Sequence, residues 1–527
     1  MTVSDRTLLD LDVSQITHAF PTVTKAGSEE LLRRIQTPIQ DPSILQTRQT
    51  QLQDIQRRCR DPSTLQRVHQ LRTTLSDTEE AVRSVASAGD DARMKEYYNQ
   101  ILWPADSWFA PLNHRSWIVE LLVLLRTILL PGLAVIMPLF VLVAPFILYT
   151  FVLKKPIGVQ EYIDVIQQSL KKVVPSVLGA PRFTGKGGVL EAGEKFVHVG
   201  LSLGMFVFSI WNQVSAALHM RKIVGDIRGR SVAVKQFRDA TQELSSLLGV
   251  TVTLGSEWSE GSFGPFGDAW NSPDRVHTIL RAAGEVDMLI AVALRKRVCF
   301  PTYSEPLLPT LEIQDLYHPG VAKEKRVYNS LIMKDRRHIL LTGPNRGGKS
   351  TLLKSIGMAT IMAQTLGVVF ARKATLPIFQ SVVSALSPSD DLGKMSLFEA
   401  EIEFAKQVKQ TVAESTGPVF LMMDEIFHGT NAHDGVEAAQ VFLDDLYAME
   451  KPVFSIVSTH YMDLPKRYGD SHTQNLCMDA SQDPVDPDCL KYTYRLIPGV
   501  NTFSSVREIL RERGLLSKKT PALASKK

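Results

Sequence analysis

A glycine-rich turn wedged between an apolar strand and a helix leaves a chain few folds to choose from. This chain carries one at Gly343-Pro344-Asn345-Arg346-Gly347-Gly348-Lys349-Ser350-Thr351. The stretch fits G-x-x-x-x-G-K-[ST]. His338-Ile339-Leu340-Leu341 before it reads as a buried strand, and Leu352-Leu353-Lys354-Ser355-Ile356-Gly357-Met358 after it reads as a helix. Backbone N–H groups at such a helix N-terminus cradle phosphate. Gly343, Pro344, Asn345, Gly347, Gly348 and Thr351 would form the cradle. Lys349 would reach the β/γ-phosphates, and the Ser350 hydroxyl would ligate Mg²⁺. The expectation is an α/β domain that holds a nucleoside triphosphate.

Further strands end in the side chains such a site needs. Val419-Phe420-Leu421-Met422-Met423 is an apolar strand that runs into Asp424-Glu425. Asp424 would hold Mg²⁺, and Glu425 would orient and polarise the attacking water. The plain alternative is an acidic strand cap. Val453–Val457 is another apolar strand, and it ends at Ser458-Thr459-His460. A strand-end histidine alone is ordinarily structural; beside the acid pair, His460 would bond the γ-phosphate or the water. Ser396 precedes a helix carrying Glu399, Glu401 and Glu403. It reads as an N-cap with acidic residues in the first turn. It also reads as an ABC-type signature, where a helix N-terminus meets the γ-phosphate held by a second subunit. The two readings are compatible, since an N-cap is an anion site as well.

The rest of the chain is organised differently. At 527 residues there is room for several domains, and a net charge of +4 neither requires nor excludes nucleic acid. Cys59, Cys299, Cys477 and Cys489 are scattered, as reduced thiols would be, rather than paired as a disulfide frame or zinc site. No basic segment followed by an apolar one opens the sequence, so no signal peptide is expected. Residues 1–100 show helical periodicity in Leu31, Leu32 and Ile35, then in Ile44, Leu45, Leu52 and Ile55, with Pro38 and Pro42 separating two helices. From Trp117 to Leu153 the chain is mostly apolar, and residues 127–153 carry no charge. As one helix, that uncharged stretch would be about 40 Å long, against roughly 30 Å of bilayer hydrocarbon. A second apolar run covers 196–218. Pro131-Gly132, Pro138 and Pro145 interrupt the first run, which suits a re-entrant hairpin or a buried helix pair as well as a membrane hairpin. Residues 219–300 return to helical periodicity around a Gly/Ser/aromatic loop, Gly255–Gly267.

Three patterns carry less. Gly185-Lys186-Gly187-Gly188 lacks the hydroxyl residue and the leading strand of a phosphate loop, and reads as a flexible loop. His428, His433 and Asp434 have no further ligands at metal spacing. Cys477 and Cys489 flank an acidic, proline-containing segment that reads as a loop.

The C-terminal half resembles the ATPase domain of the MutS family. Thr342 through Thr351 has the form TGPN-x-GGKST. Asp390-Asp391 matches the acid pair before the signature, Asp424-Glu425-Ile426-Phe427-His428-Gly429-Thr430 the DEI-x-x-GT motif, and Thr459-His460-Tyr461 the THY motif. His318-Pro319 and Val327-Tyr328-Asn329 match family positions near the nucleotide, and Tyr494–Gly499 resembles the closing strand. Upstream, Gly27, Leu31-Leu32-Arg33, Pro38, Asp41, Ile44 and Arg48 resemble the start of the family's helical core. Asp287-Met288-Leu289 and Phe300-Pro301 resemble the helix returning to the ATPase. Two features depart from the pattern. The apolar runs stand where a DNA-gripping clamp would be, and His428 stands at an arginine position. A mismatch-reading domain before the core, its Phe-x-Glu wedge and a C-terminal dimerisation helix pair are not expected in this chain.

The resemblance implies an α-helical core and lever domain followed by an α/β P-loop NTPase domain, an ABC-type ATPase of MutS kind. The expected segments are a core-like part at 1–116, an apolar and transmembrane hairpin at 117–218, a returning lever at 219–305, the ATPase at 306–515 and a disordered tail at 516–527. ATP and Mg²⁺ are the implied cofactors, and a homodimer with composite ATP sites is the implied assembly. Two functions follow: a DNA-associated ATPase of mismatch repair or recombination, or an ATPase anchored in a membrane through 127–153 and 196–218 and acting on a membrane or protein partner. The second places the ATPase in the cytoplasm, nucleus or an organelle interior; the alternative is a soluble nuclear or cytoplasmic protein.

Overall fold

A computed structural model describes the chain except residues 1, 4, 89–90, 134–135, 137–143, 145, 153, 155–157, 159, 165–167, 169–187, 256, 306, 387–395, 470–472, 485, 487–488 and 516–527. Asp390-Asp391, most of the Gly185–Gly188 loop and the tail therefore lie outside the described residues. The chain divides into two compact units. One comprises Met1–Thr73, Gln242–Val252 and Arg281–Lys527; the other comprises Thr74–Thr241 and Thr253–Leu280.

In chain order the described elements begin with β1 (Thr2–Val3), α1 (Asp5–Asp10), α2 (Val13–Ala19), α3 (Lys25–Ile35), α4 (Pro42–Arg58), α5 (Pro62–Ala88) and α6 (Ala92–Asn99). Next come α7 (Ser116–Leu124), α8 (Gly188–Leu248), α9 (Gly264–Asn271) and α10 (Pro273–Ala293). Then follow β2 (Thr302–Tyr303), β3 (Leu311–Leu316), β4 (Asn329–Met333), β5 (His338–Thr342), α11 (Lys349–Thr365), β6 (Lys373–Leu376) and β7 (Ser381–Ala385). The rest are α12 (Leu397–Glu414), β8 (Val419–Met423), α13 (Ala432–Tyr447), β9 (Val453–Ser458), α14 (Asp463–Tyr468), β10 (Thr473–Gln482), β11 (Leu490–Pro498) and α15 (Val506–Glu512).

In the first unit, α3 and α4 start where their caps dictate. Thr24 accepts a hydrogen bond from Gly27 N, and Asp41 accepts one from Ser43 N with Pro42 in the first turn. Leu31, Ile35, Leu45, Leu52 and Ile55 are buried, whereas Leu32 and Ile44 face solvent. Those two lie off the buried stripe of their helices. Asp287 of α10 is wholly buried. It accepts from Val23 N and Thr24 N at 2.9 Å, from Thr24 Oγ1 at 2.8 Å and from Arg72 Nε at 2.8 Å. One carboxylate thus joins the turn before α3 to two other helices.

The same unit holds two sheets. The larger has the order β1-β7-β8-β9-β5-β10-β11, parallel throughout except for β10 with β11. The smaller has the order β2-β6-β3-β4. β8 and β9 are buried along their whole length, as expected of near-continuous apolar runs in a parallel sheet covered on both faces. Val408 and Val412 of α12 and Phe442, Leu443 and Leu446 of α13 pack with β8 and β9 in one core. Strands β5, β8 and β9 are neighbours, so their C-terminal ends open onto one edge of the sheet, where α/β proteins hold ligands.

The second unit is helical. Tyr98 is buried with its ring centroid 5.1 Å from Phe266 and 5.5 Å from Trp270, and its hydroxyl donates to Asp226 at 2.5 Å. The Gly255–Gly267 stretch is not all loop: Pro265 sits in the first turn of α9, where a missing N–H costs nothing. Among the described residues, Ser116–Leu133 is the one helix long and apolar enough to cross a membrane, and only 11% of that span is buried. Trp117, Leu121, Leu124, Ile128 and Leu129 are exposed on it. The second apolar run lies within α8; Met205, Phe208, Trp211 and Leu218 there are exposed too.

Candidate active site

The site begins where β5 ends. Gly343 has φ 149° and Gly348 has φ 93°, values that favour glycine, and between them the loop closes with Gly347 N donating to Pro344 O at 3.0 Å. A β-carbon at Gly348 would lie 3.2 Å from Tyr494 Cδ1. Lys349 opens α11 and is buried; its Nζ curls back to donate to Gly343 O at 3.0 Å and Pro344 O at 3.4 Å. Burial lowers its pKa from the ordinary 10.5, while Asp424 and Glu425 pull the other way.

Asp424 leaves β8 with its N–H bonded to Ala385 O at 2.9 Å. Its carboxylate accepts from the hydroxyls of Ser350 and Ser458. Glu425 follows with φ 54°, and its N–H donates to Ser458 Oγ at 2.8 Å. That left-handed backbone is sparsely populated by residues with a β-carbon and turns the side chain towards His460. His460 Nε2 donates to Glu425 Oε1 at 2.9 Å. This bond is the main reason the Glu425 pKa lies below its ordinary 4.5. Tyr461 OH donates to Phe427 O at 2.8 Å and ties the loop after the acid pair to the end of β9. His428 Nδ1 lies 2.8 Å from Glu425 O and 2.9 Å from Glu401 Oε1.

A cavity of about 440 Å³ opens over the loop. Pro344, Asn345, Gly348, Lys349, Ser350 and Thr351 line its floor, Glu425 one side, and Tyr317, His318, Val327, Asn329 and Tyr494 the wall. Gly343 and Gly347 shape the turn without lining the cavity. Asn329 fixes the wall: its Nδ2 donates to Tyr494 O at 3.1 Å and its Oδ1 accepts from Leu496 N at 2.8 Å. Burial lowers the His318 pKa from 6.5. The structure thus brings together Lys349, Ser350, Asp424, Glu425 and His460. Ser396 stands apart, at the N-terminus of α12, in a capping box with Glu399: Ser396 N donates to Glu399 Oε2 at 2.8 Å and Glu399 N to Ser396 Oγ at 3.3 Å.

Two members of the constellation were not singled out from the sequence. Ser458, wholly buried, bonds both acids of the pair; the signal was a hydroxyl at the end of an apolar strand, next to His460. Arg346, at the exposed tip of the loop with φ 68°, pairs with Glu512 of α15. Nothing in the spacing of those two residues announces that pair.

A mixed α/β unit whose glycine-rich turn and strand-end acid pair border one cavity belongs, as a class, with the α/β proteins that open a crevice at the carboxyl ends of their strands. Residues 339–510 match the family MutS domain V. The chain is 31% identical over 212 residues to the DNA mismatch repair protein MutS of Geobacillus thermodenitrificans, covering 38% of this chain and 22% of that one. It is 28% identical over 239 residues to the DNA mismatch repair protein MutS of Thermus aquaticus, covering 45% and 28%. It is 29% identical over 238 residues to the Endonuclease MutS2 of Staphylococcus epidermidis, covering 44% and 29%. The chain thus matches under a third of the length of these relatives. Over residues 339–510 the chain is similar to MutS domain V.

Proposed function

We propose that the chain binds ATP with Mg²⁺ and hydrolyses it, and that a homodimer closes on the nucleotide to move its helical segments. The observation that carries this is that Lys349, Ser350 and Glu425 line one cavity, with Asp424 bonded to Ser350 and His460 to Glu425. The Ser350 hydroxyl and the Asp424 carboxylate are neighbouring hard oxygen donors, the chemistry Mg²⁺ takes alongside phosphate oxygens and water. When bound, the cation would neutralise charge on the phosphates. Lys349 would exchange its loop carbonyls for phosphate oxygens at the head of α11. Glu425, kept ionised by His460, would accept a proton from the attacking water, and His460 would sense the γ-phosphate. Ser396, outside its own cavity, would meet the partner's nucleotide. The role proposed for this ATPase is DNA-associated, in mismatch repair or recombination, and the relatives named for DNA mismatch repair support the first of these.

The test is Glu425→Gln. Turnover should fall by about 10²–10⁴-fold while ATP binding persists. Unchanged turnover would remove Glu425 from the role of base.

A second reading is favoured by one observation. The helix Ser116–Leu133 and the described part of the 196–218 run expose aromatic and aliphatic side chains that a water-facing surface does not carry in such density. In this reading the ATPase is membrane-anchored and acts on a membrane or protein partner, from the cytoplasm, the nucleus or an organelle interior.

A further inference from the structure

The described residues between Thr2 and Leu11 touch the parts of the ATPase unit that a composite site has to hold in register. β1 adds to the edge of the large sheet in parallel, Thr2 beside Ser381 and Val3 beside Val382. Asp10 is buried, and its Oδ2 accepts from Ser384 Oγ at 2.7 Å and Leu386 N at 3.0 Å. Leu386 directly follows β7. On the far side of Ser396, the Arg6 guanidinium lies 4.8 Å from the ring centroid of Phe404 in α12. Arg6, Leu386, Phe404 and Glu425 also line one small cavity of about 120 Å³. Leu11 is wholly buried against the helix that starts with Lys349: a β-carbon at Gly357 would lie 2.5 Å from Leu11 Cδ2. One short segment therefore grips α11, β7 and α12.

We propose that this segment is a positioning element for the signature serine, and that Asp10 is its central positioning residue. Asp10 ties α1 to the end of β7, and Arg6 of the same helix contacts α12, whose N-cap is Ser396. Leu11 references both to α11, which carries Lys349. In a dimer the place of Ser396 relative to its own α11 sets how well it meets the nucleotide on the partner. The inference rests on the composite dimeric site proposed above. A buried carboxylate accepting two hydrogen bonds can be replaced by an amide oxygen, so Asn preserves the geometry and Ala leaves two donors unsatisfied.

The experiment compares Asp10→Ala, Asp10→Asn and Ser396→Ala in the full chain. Asp10→Ala should lower kcat about tenfold or more with the affinity for a fluorescent ATP analogue unchanged, since small misplacements remote from the chemistry act on turnover. Asp10→Asn should stay within about twofold of wild type, and Asp10→Ala combined with Ser396→Ala should be no slower than Ser396→Ala alone, because both act through one group. Mixing Asp10→Ala with Glu425→Gln should restore turnover. The mixed dimer pairs an intact Glu425 with an intact signature. The inference is overturned by turnover in Asp10→Ala within twofold of wild type, by loss of nucleotide affinity in step with kcat, by an additive double variant, or by a mixture that stays slow. Absence of turnover in the wild type would instead overturn the ATPase reading itself.

Discussion

Lys349 shows how a single side chain can be poised for a phosphate. Burial disfavours its charged form, and its Nζ donates to the carbonyls of Gly343 and Pro344. Phosphate oxygens would stabilise that charge, so affinity depends on Lys349 being protonated. The charged form is lost as pH rises through a pKa below the ordinary 10.5. ATP affinity should therefore weaken on the alkaline side at a lower pH than a free lysine would dictate. Titration of nucleotide binding between neutral pH and pH of about 10 checks this, and Lys349→Arg should remove the dependence while weakening binding. Asp287 is the matching case for stability. Asp287→Ala would leave the buried guanidinium of Arg72 without its carboxylate, at a cost of about 3–5 kcal/mol in denaturant unfolding. The placement of Asp424, Glu425 and His460 was legible in the sequence because each closely follows an apolar strand. Asp287 was legible only as part of a resemblance, since its partners come from turns and helices far along the chain.

At the scale of elements, β5, β8 and β9 are legible because strands buried on both faces are written as unbroken apolar runs. The helix breaks at Pro38 and Pro42 are legible for a comparable reason, fixed backbone chemistry. The small sheet is not. β2 and β6 are short, and their partners are chosen by register across the fold rather than by local pattern. β1 has two residues and no periodicity at all; only the open edge of β7 makes it a strand. Helix α9 is hidden in a glycine- and serine-rich stretch because burial of Phe266 and Trp270 outweighs poor helix propensity.

At the scale of the whole molecule, the two units differ in what their surfaces ask for. The α/β unit encloses its apolar strands. The helical unit leaves Trp108, Trp117, Leu121 and Phe208 in the open. If lipid covers that surface, the protein should float with vesicles after ultracentrifugation, and Leu121→Glu with Leu124→Glu should return it to the soluble fraction. If it acts on DNA, added duplex should bind with an affinity that falls steeply with salt. Flotation in the presence and absence of duplex reads both outcomes from one preparation.

The edge position of β1 bears on the order of folding. Asp10 and Ser384 are bonded across 374 positions of chain. Long-range pairing of this kind closes slowly, because the entropy of the intervening loop has to be overcome before the contact is formed. While the chain is being synthesised, Thr2–Val3 therefore stay without their strand partner until β7 has emerged. The edge of the large sheet closes late, when the site it borders is assembled.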